Sequence, residues 1–129
     1  MNRHRETPPT LEQRLNQAEL NWQYLKTVDT GHPDWGITVK FYTGMHYITA
    51  VAIRLGAPSP HSHGERFEYL ERVRIPREVR KAFSLLYENS LTARYKCEPF
   101  DLLFELNDLA TDALDTVRNY ARKLLQLEN

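Results

Sequence analysis

The sequence has almost no cysteine. A single one, Cys97, stands among 129 residues, so no intramolecular disulfide can form and a disulfide-stapled extracellular mini-protein is not expected. No apolar run approaches the roughly 20 residues that a membrane-spanning helix needs. The first nine residues are polar and lack the apolar centre of a secretory signal. These features predict a chain addressed to the cytoplasm, with no membrane partner. Net charge is missing as well. Lysine and arginine total 17, aspartate and glutamate also 17. A protein that grips duplex nucleic acid non-specifically carries a large positive excess, because neutralising phosphates drives that binding. Zero net charge argues against that class, but leaves room for a local basic site that takes a short RNA or a nucleotide.

The signatures of the common enzymes are missing too. There is no glycine-rich phosphate loop and no nucleophile elbow. Neither a His-Glu-x-x-His run nor paired cysteines suggest zinc. No cofactor and no metal are therefore expected. His61 and His63, one residue apart, could share an ion, but the other ligands of a four-coordinate site are not evident.

What is present is helical periodicity. Residues 1–9 read as a disordered arm, with Pro8 and Pro9 opposing helix before Thr10. Residues 10–129 read as one helical domain. Thr10 and Gln13 have the spacing of a capping box, and Leu11, Leu15, Ala18, Trp22 and Leu25 then form one apolar stripe. A second helix should be capped by Asp34 and run to about Leu55, with Gly56 as its stop. Ile37, Phe41, Ile48, Ala52 and Leu55 mark its core face, and it is the most apolar helix of the set. After a proline-bearing loop, Ser62 and Glu65 suggest a capping box opening a short helix over 62–73. Pro76 and Pro99 suit the starts of two further helices. Their stripes run through Val79, Phe83, Leu86, Ser90 and Ala93, and through Leu103, Leu106, Ala110, Leu114, Val117, Ala121 and Leu124. No segment alternates with period two. The expected fold is all-α, an antiparallel four-helix bundle with a short extra helix in the crossover.

The last helix carries a second row, Glu98, Asp101, Glu105, Asp108, Asp112 and Asp115, nearly opposite its leucine stripe. A solvated face is the ordinary reading. A docking face for a basic partner or a second copy is the sharper one.

Several polar residues fall where apolar ones belong. His46 lies mid-helix one turn after Tyr42. Ser90 sits on a core stripe, with Arg94 and Tyr95 one turn later. His63 and Arg66 occupy the first turn of the short helix. The dipole does not favour cations there, whereas a helix start with His63 and Arg66 suits an anion such as phosphate. Each also has a structural reading. A buried histidine can be satisfied inside a core, a serine can bond its own helix, and an arginine near a helix end can complement the dipole.

Three fragments in order carry a resemblance. Asp34-Trp35-Gly36 with Phe41-Tyr42 and His46 comes first. Ser62-His63 with Arg66 follows the proline-bearing loop. Ser90 with Ala93-Arg94-Tyr95 comes last. Together they resemble a bacterial branch of the HEPN superfamily of helical bundles, over about residues 10–127. The resemblance implies a bundle that often dimerises. It implies either a metal-independent ribonuclease of a toxin–antitoxin or defence system, or a non-catalytic module that binds RNA or a nucleotide, or that pairs with a nucleotidyltransferase or an antitoxin. In the ribonucleases an arginine precedes a histidine by four to six intervening residues. The histidine acts as general acid or base and the arginine stabilises phosphate charge. No histidine follows Arg94 here. Arg54 and His61 are the only formal fit. His46, His63, Arg66 and Arg94 are the alternative catalytic set, with Tyr42, Ser90 and Tyr95 as binding residues. Beside these stands a reading without chemistry, a helical protein–protein interaction module.

Overall fold

The structure is a computed structural model that describes residues 7–27 and 31–127. The arm expected over residues 1–9 falls mostly outside them; Thr7 to Pro9 are exposed and not helical. Five helices make up the described chain, and there is no strand among the described residues: α1 (Leu11–Leu25), α2 (Pro33–Arg54), α3 (His63–Arg72), α4 (Arg77–Tyr95) and α5 (Phe100–Leu124). The fold is all-α. No helix is long and apolar enough to cross a membrane among the described residues.

The starts follow the sequence with two corrections. Thr10 Oγ1 accepts from Gln13 N, and the Gln13 side chain accepts from Thr10 N, so the box on α1 is complete. Helix α2 is not capped by Asp34. His32 stands at the cap without a side-chain bond and Pro33 opens the helix. Proline's fixed φ and missing N–H suit that position, which places Asp34 in the first turn. At α3, Ser62 Oγ accepts from Glu65 N at 3.1 Å, but the Glu65 carboxylate accepts from His61 N at 2.8 Å rather than from Ser62. Half of the expected box is formed, and the other half ties down the loop.

Three helices end in the same way, and only one with glycine. After α2, Gly56 takes φ 107°; its N–H bonds Ile53 O and the Ala57 N–H bonds Ala52 O, closing a Schellman motif. Arg74 (φ 64°) and Gln126 (φ 59°) do the same after α3 and α5.

Helix α2 is central. It packs against α1, α4 and α5, and α3 touches it. One buried apolar cluster draws on all five helices, with Ala18, Phe41, Ile48, Leu70, Phe83 and Val117 among its members. Phe83 stacks on Phe41 (centroids 5.9 Å apart) and tilts against Phe67 from α3 at 5.2 Å. Close approach between α2 and α4 uses Gly44, where a Cβ would lie 2.7 Å from Leu86 Cδ1. The α2 core face is wider than the stripe read from sequence. Gly44, Met45, Tyr47 and Val51 are also buried, whereas Leu55 at the helix end is 41% exposed.

The aromatic stack joins α2, α3 and α4 through the fully buried Phe41 and Phe83. Phe83→Ala should lower stability by about 3–5 kcal/mol. The urea midpoint measures this, with an unchanged m-value.

Candidate functional site

Helix α2 is buried on nearly every side, yet it carries Tyr42, Thr43, His46, Tyr47 and Thr49. Thr43 and Thr49 donate back to Val39 O (2.7 Å) and Met45 O (2.6 Å), which satisfies their hydroxyls within the helix. The other three reach outward, to opposite sides.

On one side Tyr47 meets α1 and α5. Its hydroxyl donates to Glu19, which also takes a 2.7 Å bond from Arg122 NH1. Arg118 Nε donates to Tyr47 OH at 3.2 Å, and its guanidinium lies 4.0 Å from the Trp22 ring centroid. Burial alone would raise the Glu19 pKa. The bonds from Tyr47 and Arg122 and the charges of Arg122 and Arg118 outweigh it, and the net shift is downward. Burial and the Glu19 bond push Tyr47 up to about 12. This network contains both signs of charge, and it ties three helices together.

On the other side no carboxylate pairs with the arginines among the described residues. His46 accepts at Nδ1 from Arg14 NH1 of α1 (3.2 Å). Arg66 of α3 donates through Nε to Thr49 Oγ1 (2.9 Å) and through NH1 to His63 Nδ1 (2.9 Å). The His63 ring packs on Phe41 (5.6 Å) and Tyr87 (5.0 Å). From α4, Arg94 lies 5.8 Å from the Phe41 centroid and 5.7 Å from that of Tyr42. It donates NH1 to Tyr42 OH (3.3 Å), NH2 to Ser90 Oγ (3.1 Å) and Nε to Ser90 O (3.2 Å). Ser90 Oγ in turn donates to Tyr87 O at 2.7 Å, which explains a serine on a core stripe. Tyr95 is exposed beneath the Arg94 guanidinium, 5.1 Å away.

Two of these guanidiniums are deeply buried, Arg14 at 8% exposure and Arg66 at 6%. Neither forms an ion pair among the described residues. Arg14 Nε is buried without a hydrogen-bond partner. A buried cation is normally paired or released to water, because desolvation costs several kcal/mol per ion. Here the cost is visible mainly as desolvation, with repulsion adding to it at Arg66. Burial, and then the Arg14 charge, pulls the Arg66 pKa down to about 10, and burial lowers Arg14. His46 falls to about 4 through burial, helped by the charges of Arg14 and Arg66. His63 is lowered by burial and by Arg66 and Arg94. Arg14 and His46 open together into a groove of about 390 Å³ whose other walls include Gln13, Asn16 and Gln17.

The hydrogen bonds fix the imidazole tautomers. A guanidinium has no lone pair and can only donate. Nδ1 of both His46 and His63 therefore accepts, and each neutral ring keeps its proton on Nε2. Both histidines are thus set as N–H donors, and the lone pair that a general base would use is already engaged by an arginine. The cluster can offer an anion guanidinium and imidazole N–H donors.

Of the residues marked in the sequence, His63 and Arg66 are joined directly. His46 interacts electrostatically with Arg66, and Arg94 with His63. Tyr42 and Ser90 hold Arg94. Arg54 and His61 are exposed, no hydrogen bond joins them, and neither belongs to the cluster. Among the described residues no three histidine, cysteine, aspartate or glutamate side chains gather as metal ligands. In the acidic row, Asp101, Glu105, Asp108, Asp112 and Asp115 are exposed, while Glu98 precedes α5 and is half-buried. Burial lowers the Lys40 pKa, and Asp108 and Asp115 partly restore it. Arg14 and Thr49 were missed. Arg14 has a signal, since it stands three residues after Leu11 and four before Ala18 and so interrupts the apolar face of α1. Thr49 has none, being one of three threonines in an apolar helix.

His46 binds a proton more readily unfolded, where its pKa is 6.5, than folded, where it is about 4. Its contribution to stability is complete above pH 6.5 and is lost progressively as the pH falls from 6.5 toward 4. Urea midpoints between pH 7.5 and 4.5 should fall less steeply for His46→Leu than for the native chain. Parallel curves would contradict the assignment.

Comparison with models of known protein families, with curated proteins and with solved structures gives no match to this chain.

Proposed function

We propose that this chain is a HEPN-like protein, an antiparallel four-helix bundle with α3 in the crossover, that binds single-stranded RNA or a nucleotide through phosphate oxygens. One observation carries the binding part. Arg14 and Arg66 are buried with no carboxylate paired to them among the described residues, beside two histidines that present N–H groups. An arrangement that costs stability in the free protein is one that a bound anion would repay. A phosphate between the guanidiniums supplies the missing negative charge and takes charge-assisted hydrogen bonds. Arg94 and the aromatic rings around it extend the same face toward the sugar and base, where stacking contributes. The setting, a toxin–antitoxin or defence system with an antitoxin, a nucleotidyltransferase or a second copy as partner, comes from the sequence resemblance alone.

Binding is favoured over cleavage. Transphosphorylation of RNA needs one group to take the 2′-hydroxyl proton and another to give a proton to the leaving 5′-oxygen. Neutral rings whose Nδ1 lone pairs face arginines serve neither step until an arginine moves away. The second reading, a protein–protein interaction module, has its own support in α5, where Phe100, Phe104 and Leu109 are exposed at 51%, 42% and 49%.

Two measurements separate these readings. Arg66→Met and Arg14→Met each remove a buried charge while keeping much of the apolar stem. The melting temperature should hold or rise, as expected when a functional charge is traded for packing. Fluorescence anisotropy with a short labelled single-stranded RNA should show affinity reduced about tenfold by either change, since a hydrogen bond to a charged group contributes about 1.5–3 kcal/mol. The native salt dependence should have a slope near −1.4, about −0.7 for each of two phosphates. A melting temperature lowered by several degrees, with RNA binding absent in the native chain, would leave the cluster structural and favour the interaction module. RNA cleaved by the native chain and spared by His63→Ala would replace binding with catalysis.

A further inference from the structure

Beyond the cationic cluster, a hollow of about 180 Å³ lies between the first turn of α2 and the last turn of α4. Its walls are Asp34, Trp35, Thr38, Ala93 and Arg94. Three features are unusual together. Asp34 Oδ1 is buried without a hydrogen-bond partner, and a buried acceptor left unpaired carries a desolvation cost. Trp35, beside it, is 63% exposed; a large aromatic ring on the surface at the rim of a cavity offers a stacking face. Arg94 borders both this hollow and the cationic cluster. Three of the five N–H groups of a guanidinium bond Ser90 and Tyr42, which leaves two.

We propose that this hollow takes the guanine base of the bound nucleotide, with the ring against Trp35 and its Watson–Crick edge on the Asp34 carboxylate. The proposal rests on the phosphate-binding reading for its class of ligand and adds the identity of the base. The selection follows from the pattern of donors. A carboxylate offers acceptors only. Guanine alone presents two adjacent donors, N1–H and the N2 amino group, so that both oxygens are used once the Asp34 carboxylate turns its buried Oδ1 toward the hollow. Adenine and cytosine place a ring acceptor next to their amino group, and uracil flanks its single N–H with two carbonyls; each sets a lone pair against the carboxylate. Single-stranded RNA exposes this edge, as duplex does not. The spare Arg94 donors match the O6 and N7 acceptors of the same base.

The test uses the full chain labelled with ¹⁵N. The indole N–H signal of Trp35, identified by its loss in Trp35→Phe, is followed during titration with guanosine, adenosine, cytidine and uridine monophosphates. The histidine ring signals are followed at the same time, with inorganic phosphate as a further titrant. The Trp35 signal should respond to guanosine monophosphate with a Kd about fivefold or more below those of the other three, the lower end of discrimination by a bidentate pair. Asp34→Asn, which keeps the shape of the side chain, should bring the four within about twofold of one another, while inorganic phosphate still moves the His63 signal. An equal response to all four nucleotides, no response at all, or a preference that survives Asp34→Asn overturns the proposal. Failure of the phosphate reading looks different: His46 and His63 then stay unmoved by phosphate while Trp35 still follows the guanine nucleotide, and the base hollow stands without the cationic site.

Discussion

The burial of α2 is the constraint on which the rest of the structure depends. A helix packed by α1, α4 and α5 and touched by α3 has almost no face left for water. The buried polar side chains at its middle must find their partners inside the protein, because a buried polar group without a hydrogen bond costs about 1–3 kcal/mol. Thr43 and Thr49 solve this within the helix. Tyr42, His46 and Tyr47 cannot, and each draws a residue from another helix: Arg94 from α4, Arg14 from α1, Glu19 and Arg118 from α1 and α5. The long-range polar contacts therefore follow from which α2 positions are polar.

The two sides of α2 answer this demand in opposite ways. The Tyr47 side closes its charges, with Glu19 between a phenol and the Arg122 guanidinium. Such a network fixes the placement of three helices and has no evident need of a ligand. The His46 side leaves its charges open. Guanidiniums face imidazoles that burial and cationic neighbours keep neutral, and among the described residues no carboxylate pairs with them. A chain with no net charge thus holds an asymmetric interior, because most of its carboxylates lie elsewhere, five of them in the exposed row on α5. The same overall balance is compatible with a locally anion-seeking pocket.

Much of the architecture was legible along the chain, and the misses have physical causes. The five helices, the box at Thr10 and the stop at Gly56 depend on contacts within a few residues, so a local pattern carries them. Arg74 and Gln126 end helices with the same hydrogen bonds as Gly56, but neither announces a left-handed backbone, since packing holds them there at a steric cost. Asp34 was read as a cap because its residue type suits one. Pro33 opens the helix instead with His32 at the cap, and the Asp34 carboxylate lies two positions inside that cap, in the hollow that it lines.

The sequence by itself determined an all-helical chain, the order and extents of its helices, most of the core stripes, and the presence of polar residues on faces that should be apolar. It marks His46 and Ser90 as polar groups on apolar faces, His63 and Arg66 as cations in a helix's first turn, Arg94 near a helix end, and Tyr42 through the resemblance. Only the tertiary structure decided which of them meet. It brought Arg14 and Thr49 into the cluster and left Arg54 and His61 in solvent. It also turned both histidines into N–H donors by placing a guanidinium at each Nδ1. Those outcomes depend on how helices rotate against one another, and rotation is settled by packing among residues tens of positions apart, which no local spacing records.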